Sequence, residues 1–340
     1  MRGLSISVCL LTAIAVTQTT AQGPSRADEL KQAENDIQRG RIAEGVAILE
    51  KLNQTQPAMK SVAHDLGLAQ YRNSKLIAAK EAFTKAIQDD PADKESVQML
   101  GLTLYRMGQP AAAIPYLERV REWTPNSQTD ANYVLGLCYL NAQRYDDARK
   151  SFATQFGVQA DSGPAYLLFS DMLMKANLPE LAANAAHKAL QLLPGLPLAH
   201  FTLGEVALFK SSVEDALTEF EAERALDPGY APVYDRLGDA YTRLEKYEEA
   251  QQALMKAISL DSSRTGPFIL MGKVLLRRND GRSALLYLRH AAKMDPNNYI
   301  THTLLGQVYR SLGDEDNAKQ EFEAGEKLQA AGELKLDDPH

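Results

Sequence analysis

The chain has 340 residues, of which 45% are apolar and 24% are charged, and its formal net charge is −7. This balance is ordinary for a globular protein, and at this length it indicates several domains or a repeat array instead of one compact core. The acidic charge excludes a sequence-independent nucleic-acid binder, because such a protein needs a basic excess to neutralise phosphates.

The first element in chain order is a processing segment. Arg2 supplies a positive charge, residues 4–16 are almost wholly apolar, and small residues lead to a cleavage position at Ala21. This apolar run is shorter than the roughly 20 residues that span a bilayer. We therefore predict a secretory signal peptide at 1–21, a short leader at 22–25, and a periplasmic or extracellular location. An uncleaved anchor and lipid attachment at Cys9 are the alternatives.

Cysteine usage adds little to this prediction. Only Cys138 lies outside the predicted signal peptide, so no internal disulfide is expected. We interpret Cys138 as a small buried apolar residue, and a reactive or intermolecular thiol is the alternative.

The rest of the chain is a tandem repeat of 34 residues. Nine repeats begin at Arg26, Lys60, Lys94, Thr129, Gly163, Pro197, Ala231, Thr265 and Tyr299. The frame slips by one residue before Thr129. The last repeat ends near Gly332, which leaves 333–340 as a tail.

Two positions of the repeat hold only small residues. Position 8 holds Ala33, Gly67, Gly101, Gly136, Ser170, Gly204, Gly238, Gly272 and Gly306. Position 20 holds Gly45, Ala79, Ala113, Ala148, Ala182, Ala216, Ala250, Ala284 and Ala318. Positions 4, 7, 8 and 11 form one helical stripe and positions 20, 24 and 27 form another. Each repeat is therefore predicted to be a hairpin of two helices that approach closely at the small residues, and stacked hairpins make an all-α solenoid.

The segments at 66–91 (LGLAQYRNSKLIAAKEAFTKAIQDDP) and 237–261 (LGDAYTRLEKYEEAQQALMKAISLD) resemble the tetratricopeptide repeat consensus. The resemblance extends over the nine repeats at 26–332. It implies a right-handed α-solenoid of about nine helix-turn-helix repeats, whose first helices line a concave groove. Some family members hold the C-terminal carboxylate of chaperones with lysine at position 5 and asparagine at position 9. No repeat here has that pair, so this activity is not expected.

Repeat four departs from the pattern. Ala160 occupies position 32, where six other repeats have proline, and the second helix is followed by FGVQADSGP. We expect either a local change of superhelical angle or a silent loop variation there.

The sequence offers no arrangement typical of an active site. Its histidines are far apart in the repeat, and no pair has metal-ligand spacing with a third ligand nearby. It has no phosphate-binding glycine loop and no nucleophile elbow. We therefore expect no enzyme activity, no cofactor and no metal.

The candidate partner groove consists of positions 2, 5, 9 and 12 of the first helices, with basic residues beside them. The residues singled out are Tyr71, Tyr105, Tyr133, Leu137, Leu140, Leu167, Asp171, Met174, Phe201, Glu205, Leu208, Arg243, Lys273, Arg277 and Arg310. Repeats two to six present apolar side chains, which indicates a binding surface unless stacking buries them. Repeats seven to nine are richer in arginine and lysine. They suit an acidic partner segment, unless Asp235 and Asp239 simply balance a solvated face.

These patterns predict a non-catalytic scaffold or adaptor that binds a peptide or protein segment in the groove, within the cell envelope. The alternative is a structural component without a groove ligand. It would dock edge-on in an envelope, pilus or polysaccharide-export assembly, or associate with itself. No nucleic acid or metal partner is expected, and homo-oligomerisation is left open.

Overall fold

The computed structural model describes residues 24–55, 59, 61–123 and 131–336, with side chains up to residue 331. The predicted signal peptide at 1–21 and its cleavage position lie outside these residues. The described part of the chain contains 18 helices and no strand. The all-α prediction is therefore confirmed.

The helices pair as hairpins in chain order, and they form two compact units that meet in sequence between Val134 and Leu135, inside α7. The first unit holds α1 (Arg26–Gln38), α2 (Ile42–Asn53), α3 (Val62–Arg72), α4 (Leu76–Asp89), α5 (Lys94–Arg106), α6 (Pro110–Val120) and the start of α7 (Ala131–Asn141). The second unit holds the rest of α7, α8 (Tyr145–Gln155), α9 (Gly163–Lys175), α10 (Pro179–Leu192), α11 (Ala199–Phe209), α12 (Val213–Leu226), α13 (Ala231–Arg243), α14 (Tyr247–Leu260), α15 (Thr265–Arg277), α16 (Gly281–Met294), α17 (Tyr299–Ser311) and α18 (Glu315–Leu336).

The turn inside each hairpin follows one backbone pattern. Position 15 of the frame has a positive φ in every repeat, at Gly40, Ser74, Gly108, Gln143, Asn177, Ser211, Glu245, Asn279 and Gly313. The next residue then donates its N–H to the carbonyl of position 11, as Lys246 does to Tyr241 at 2.9 Å. This bond closes the end of the first helix and reverses the chain. In six repeats this residue is not glycine, and its left-handed backbone conformation destabilises the turn by about 1 kcal/mol.

The glycine at position 8 makes room for a large side chain from the second helix. A Cβ on Gly136 would lie 2.6 Å from the Phe152 ring, and one on Gly67 would lie 2.5 Å from Phe83. Phe83 and Phe152 are fully buried. The small residue therefore does more than bring two backbones together, because it also seats the position-24 side chain of its own repeat.

Repeat five has different residues at both of these positions. Ser170 replaces the glycine, and Ala186 replaces the large residue at position 24. The Ser170 hydroxyl uses the space, and it donates a hydrogen bond to the carbonyl of Ala182 at 2.7 Å.

Repeat four ends its second helix early, at Gln155. Arg149, which is buried, holds the chain that follows. Its guanidinium donates to the carbonyl of Ala160, pairs with Asp161 at 2.9 Å and stacks on the Tyr166 ring at 4.4 Å. A side-chain clamp thus takes the place of the proline that this repeat lacks.

The last helix continues past the predicted end of the repeats. Helix α18 has 22 residues and reaches Leu336, so the predicted tail at 333–340 begins inside a helix. Residues 337–340 lie outside the described part. Across the residues that the structure covers, no helix combines the length and apolar character needed to cross a membrane.

Candidate functional site

The 34-residue period places equivalent side chains of the first helices in columns. In repeats five to nine of the second unit, position 9 is polar, at Asp171, Glu205, Asp239, Lys273 and Gln307. Among their helices, α9 touches α11, α13 touches α15 and α15 touches α17. We call this column, together with Lys175, Arg243, Arg277 and Arg310 at the ends of the same helices, the first-helix face.

The apolar residues predicted for the groove are more covered than an open binding surface would be. Leu137, Leu167, Met174 and Leu208 are half-buried. Leu140 is only 7% exposed, so it packs in the core and does not face a partner. The apolar part of the predicted groove is correspondingly smaller, and partner binding at these positions stays a prediction.

Phe201 illustrates why these side chains are covered. Its ring lies 5.6 Å from the ring of Phe220 and 5.4 Å from that of Tyr230, centroid to centroid. Together with Leu208, it packs against the core of α12 and α13. Helix α12, Tyr230 and α13 therefore cover part of the groove-side apolar surface of α11.

The predicted tyrosines Tyr71, Tyr105 and Tyr133 lie in the first unit and are all half-buried. The Arg106 guanidinium stacks over the Tyr71 ring, 4.6 Å from its centroid. Such contacts couple neighbouring first helices, and they leave only part of each ring open to solvent.

Carboxylates on α11 and α13 are paired with arginines one repeat further along. Glu205 accepts from Nε of Arg236 at 2.7 Å, and Asp235 accepts from Arg264 at 3.3 Å. Burial raises the pKa of Asp235, while the hydrogen bond from Arg264 opposes that shift. Within the helix, Asp239 pairs with Arg243 at 2.8 Å. The alternative that Asp235 and Asp239 balance the charge on this face agrees with these contacts.

Asp171 is the exposed carboxylate of the first-helix face. Partial loss of hydration nevertheless raises its pKa, against the opposing effects of Lys175 and of the Thr202 hydroxyl. The Thr202 hydroxyl lies 3.5 Å from the carboxylate. Asp171 is therefore open to a ligand on one side and held by its neighbouring helix on the other.

The basic residues predicted for repeats eight and nine lie on α15 and α17. Lys273 is half-buried, while Arg277 and Arg310 are exposed. The Arg310 guanidinium stacks over the Phe322 ring, 4.6 Å from its centroid. That contact orients its charge without neutralising it.

Sequence reasoning missed one charged residue that positions this face. Glu223 is fully buried and accepts hydrogen bonds from the backbone N–H groups of Leu198 at 2.8 Å and Phe201 at 3.2 Å. It satisfies the free N–H groups at the start of α11 from the neighbouring helix. A signal was available, because position 27 holds alanine or another small or apolar residue in most other repeats.

Within the described residues, no group of three or more histidine, cysteine, aspartate or glutamate side chains is arranged to hold a metal ion. Cys138 is fully buried, and burial raises the pKa of its thiol to about 11. Its surroundings fit the interpretation as a small apolar residue, since a reactive thiol needs an accessible thiolate.

Three family models match the chain. Residues 69–154 match the model for anaphase-promoting complex, cyclosome, subunit 3. Residues 231–264 and 269–332 match two tetratricopeptide repeat models.

Curated relatives are similar at low identity over long stretches. The Protein CTR9 homolog of Arabidopsis thaliana is 23% identical over 275 residues, which is 74% of this chain and 24% of that protein. The TPR repeat-containing protein YpiA of Bacillus subtilis is 27% identical over 228 residues, 66% of this chain and 52% of that protein. The chain thus spans about a quarter to about half of the length of these relatives.

A solved structure of similar fold is the hetero-tetramer Cut9-Hcn1 of the APC/C. It is 19% identical, with a TM-score of 0.45, and the match covers 82% of this chain and 55% of that one.

Proposed function

Because the chain belongs to the tetratricopeptide repeat family, we propose that it is a non-catalytic scaffold that binds a protein or peptide segment on its first-helix face. A protein-interaction scaffold fits this family and the matched models. Groove binding is the step that we add.

The observation that carries the proposal is the polar column of the second unit. Five successive first helices each present one polar side chain at the same place, from Asp171 to Gln307. Isolated polar residues on a surface need no partner, but a column of them at constant spacing can hydrogen-bond an extended chain along its length. Solenoids use extended surfaces of this kind for binding.

The relatives support an assembly role. The Schizosaccharomyces pombe protein matched over 62% of this chain is, by its name, a subunit of the anaphase-promoting complex. We extend to this chain only the general idea of a helical repeat that works inside a larger assembly. The predicted signal peptide supports a location in the cell envelope or outside the cell for that work.

Site-directed photo-cross-linking in the native cell tests the proposal. A photoreactive amino acid at Asp171 or Gln307 probes the first-helix face, and one at Leu286 or Met255, which are exposed on second helices, is the matched control. We expect a discrete cross-linked partner from Asp171 and Gln307 and none from the controls. Cross-links from the controls alone would overturn groove binding.

Those controls also address a second candidate, edge-on docking or self-association. This candidate is favoured because Phe201 and Leu208 pack against the core of α12 and α13, which leaves less apolar surface there for a peptide to contact. Leu286, 70% exposed on α16, is the kind of outer residue that such docking would use. A partner or a second copy cross-linked from Leu286, with none from Asp171, would favour this alternative.

The envelope location has its own measurement. We expect the chain recovered from the envelope or medium to begin just after Ala21, because a signal peptidase cuts after small residues. N-terminal sequencing of the purified protein identifies its first residue directly. A chain that keeps residues 1–21 and fractionates with the cytoplasm would contradict export.

A further inference from the structure

The first-helix face is nearly balanced in charge on α9, α11 and α13 and is positive on α15 and α17. Helices α9, α11 and α13 each carry at least one carboxylate, from Asp171 to Asp239. Helices α15 and α17 carry none, and they contribute Lys273, Arg277 and Arg310. The two helices touch each other, so these three cations belong to one continuous surface.

These cations differ from the other arginines nearby in lacking counter-charges. Arg236, Arg243 and Arg264 each lie within ion-pair distance of a carboxylate. Among the residues that the structure describes, Lys273, Arg277 and Arg310 have no such neighbour, and Arg310 instead stacks on Phe322. Unpaired cations on adjoining helices create a local positive potential in a chain whose net charge is −7.

The acidic residues at the same end of these helices are already engaged. Asp280, in the turn after α15, accepts from the backbone N–H of Ser283 at 3.1 Å. Asp314, in the turn after α17, accepts from the backbone N–H and the side-chain amide of Asn317. Both aspartates cap the second helix of their repeat, so they are not directed at the three cations.

We propose that an acidic segment of a partner polypeptide lies across α15 and α17, with its carboxylates on Lys273, Arg277 and Arg310. This inference rests on the proposed groove function and names the chemistry of its partner. A planar guanidinium binds a carboxylate through two parallel hydrogen bonds, and Phe322 holds the Arg310 guanidinium in place for such a pair.

A peptide suits this surface better than a large polyanion does. A nucleic acid or an anionic membrane would also meet the acidic remainder of the chain, and repulsion would oppose its binding. A short peptide meets only the local charge. Half-buried Ile269 and Leu276 on α15 offer apolar contact beside the cations, which a polypeptide with mixed side chains can use.

The test uses the full chain and a fluorescein-labelled peptide of alternating glutamate and valine, with a glutamine-for-glutamate peptide as the probe control. The variant is Lys273→Gln with Arg277→Gln. Its matched control is Arg282→Gln with Lys293→Gln, which removes the same charge from exposed positions of α16. Circular dichroism and thermal midpoints verify that both variants fold.

We expect the fluorescence anisotropy of the labelled glutamate peptide to show the same affinity for the wild type and for the Arg282/Lys293 variant of α16. The Lys273/Arg277 variant should bind it at least about tenfold more weakly, which corresponds to about 1.4 kcal/mol. Affinity should fall as salt rises. The proposal is overturned if both peptides bind alike, or if the α16 variant loses as much affinity.

Two further outcomes separate this inference from the groove function itself. In one outcome, cross-links from Asp171 and Gln307 persist in cells that carry the Lys273/Arg277 variant, and the glutamate peptide does not bind the wild type. The groove then binds a partner that is not acidic. If phosphatidylglycerol vesicles bind through Lys273 and Arg277 while the peptide does not, the surface meets a membrane and the peptide proposal is wrong.

Discussion

Repeats five and six, which are neighbours in the second unit, fill the same space in opposite ways. In α11 and α12, Gly204 leaves room and the buried Phe220 ring occupies it. In α9 and α10, Ser170 stands in the glycine position and Ala186 stands in the phenylalanine position. The comparison teaches that the two positions are coupled across the hairpin, because the Phe220 ring needs glycine at position 204, whereas Ala186 leaves room for the hydroxyl of Ser170.

The largest expected effect comes from making repeat six imitate repeat five. Phe220→Ala should lower the free energy of unfolding by about 3–5 kcal/mol, because it leaves a cavity in a closed core. Gly204→Ser alone should cost about 1–3 kcal/mol through overpacking. The double variant should cost less than the sum, since the serine enters the vacated space.

Chemical denaturation of all four proteins in this cycle gives the coupling directly, with amide exchange in α11 and α12 as a local readout. Additive losses would contradict the idea that the two positions share one volume.

The next effect concerns repeat four, where a charged clamp replaces a missing proline. Arg149→Met should lower the free energy of unfolding by about 1–3 kcal/mol, because methionine cannot donate to the Ala160 carbonyl. The control is Arg144→Met, which removes an exposed ion pair with Asp147 and a stacking contact with the Tyr139 ring and should cost about 1 kcal/mol. Limited proteolysis at residues 156–162 measures loss of the clamp. Unchanged cleavage in Arg149→Met would show that the loop holds itself.

A smaller effect is expected from removing the Ser170 hydroxyl in repeat five. Ser170→Ala should cost about 1 kcal/mol, since it removes a buried hydrogen bond to the Ala182 carbonyl. Thr154→Ala is the matched control, because its hydroxyl makes a similar bond to Lys150 on an exposed surface. Thermal midpoints compare the two variants. Equal midpoints would mean that Ser170 acts by volume alone.

The smallest effect is a dependence on pH in repeat nine. Partial burial opposes protonation of His302, but the hydrogen bonds with Glu321 at 2.7 Å and with the Pro296 carbonyl raise its pKa above 6.5. A raised pKa means that the stabilisation is complete below about pH 6.5 and is lost as pH rises through the folded-state pKa. The stability difference between wild type and His302→Gln should therefore shrink from about pH 6 to pH 8. A constant difference would exclude the charged pair as its cause.

The frame predicted the hairpins well, since equivalent helices share turns, small residues and starts. It predicted the candidate site less well. Leu140 and Met174 occupy the same frame position, yet Leu140 is buried and Met174 is half-buried. Exposure depends on the side chains of neighbouring helices, which lie about one repeat away in sequence, and a frame position carries no information about them.

The sequence by itself determined the helical repeat, its period and the positions of the hairpin turns, because these follow from local periodicity and from the glycine or polar residue at each turn. It also located the candidate face on the first helices. Only the tertiary structure decided which side chains of that face are open and which charges are paired. Arg264 meets Asp235 and Arg236 meets Glu205 across about one repeat of sequence, whereas Lys273 and Arg277 find no carboxylate on the described helices beside them. Pairing of this kind depends on distances between stacked helices, and that physical quantity is set only when the repeats pack.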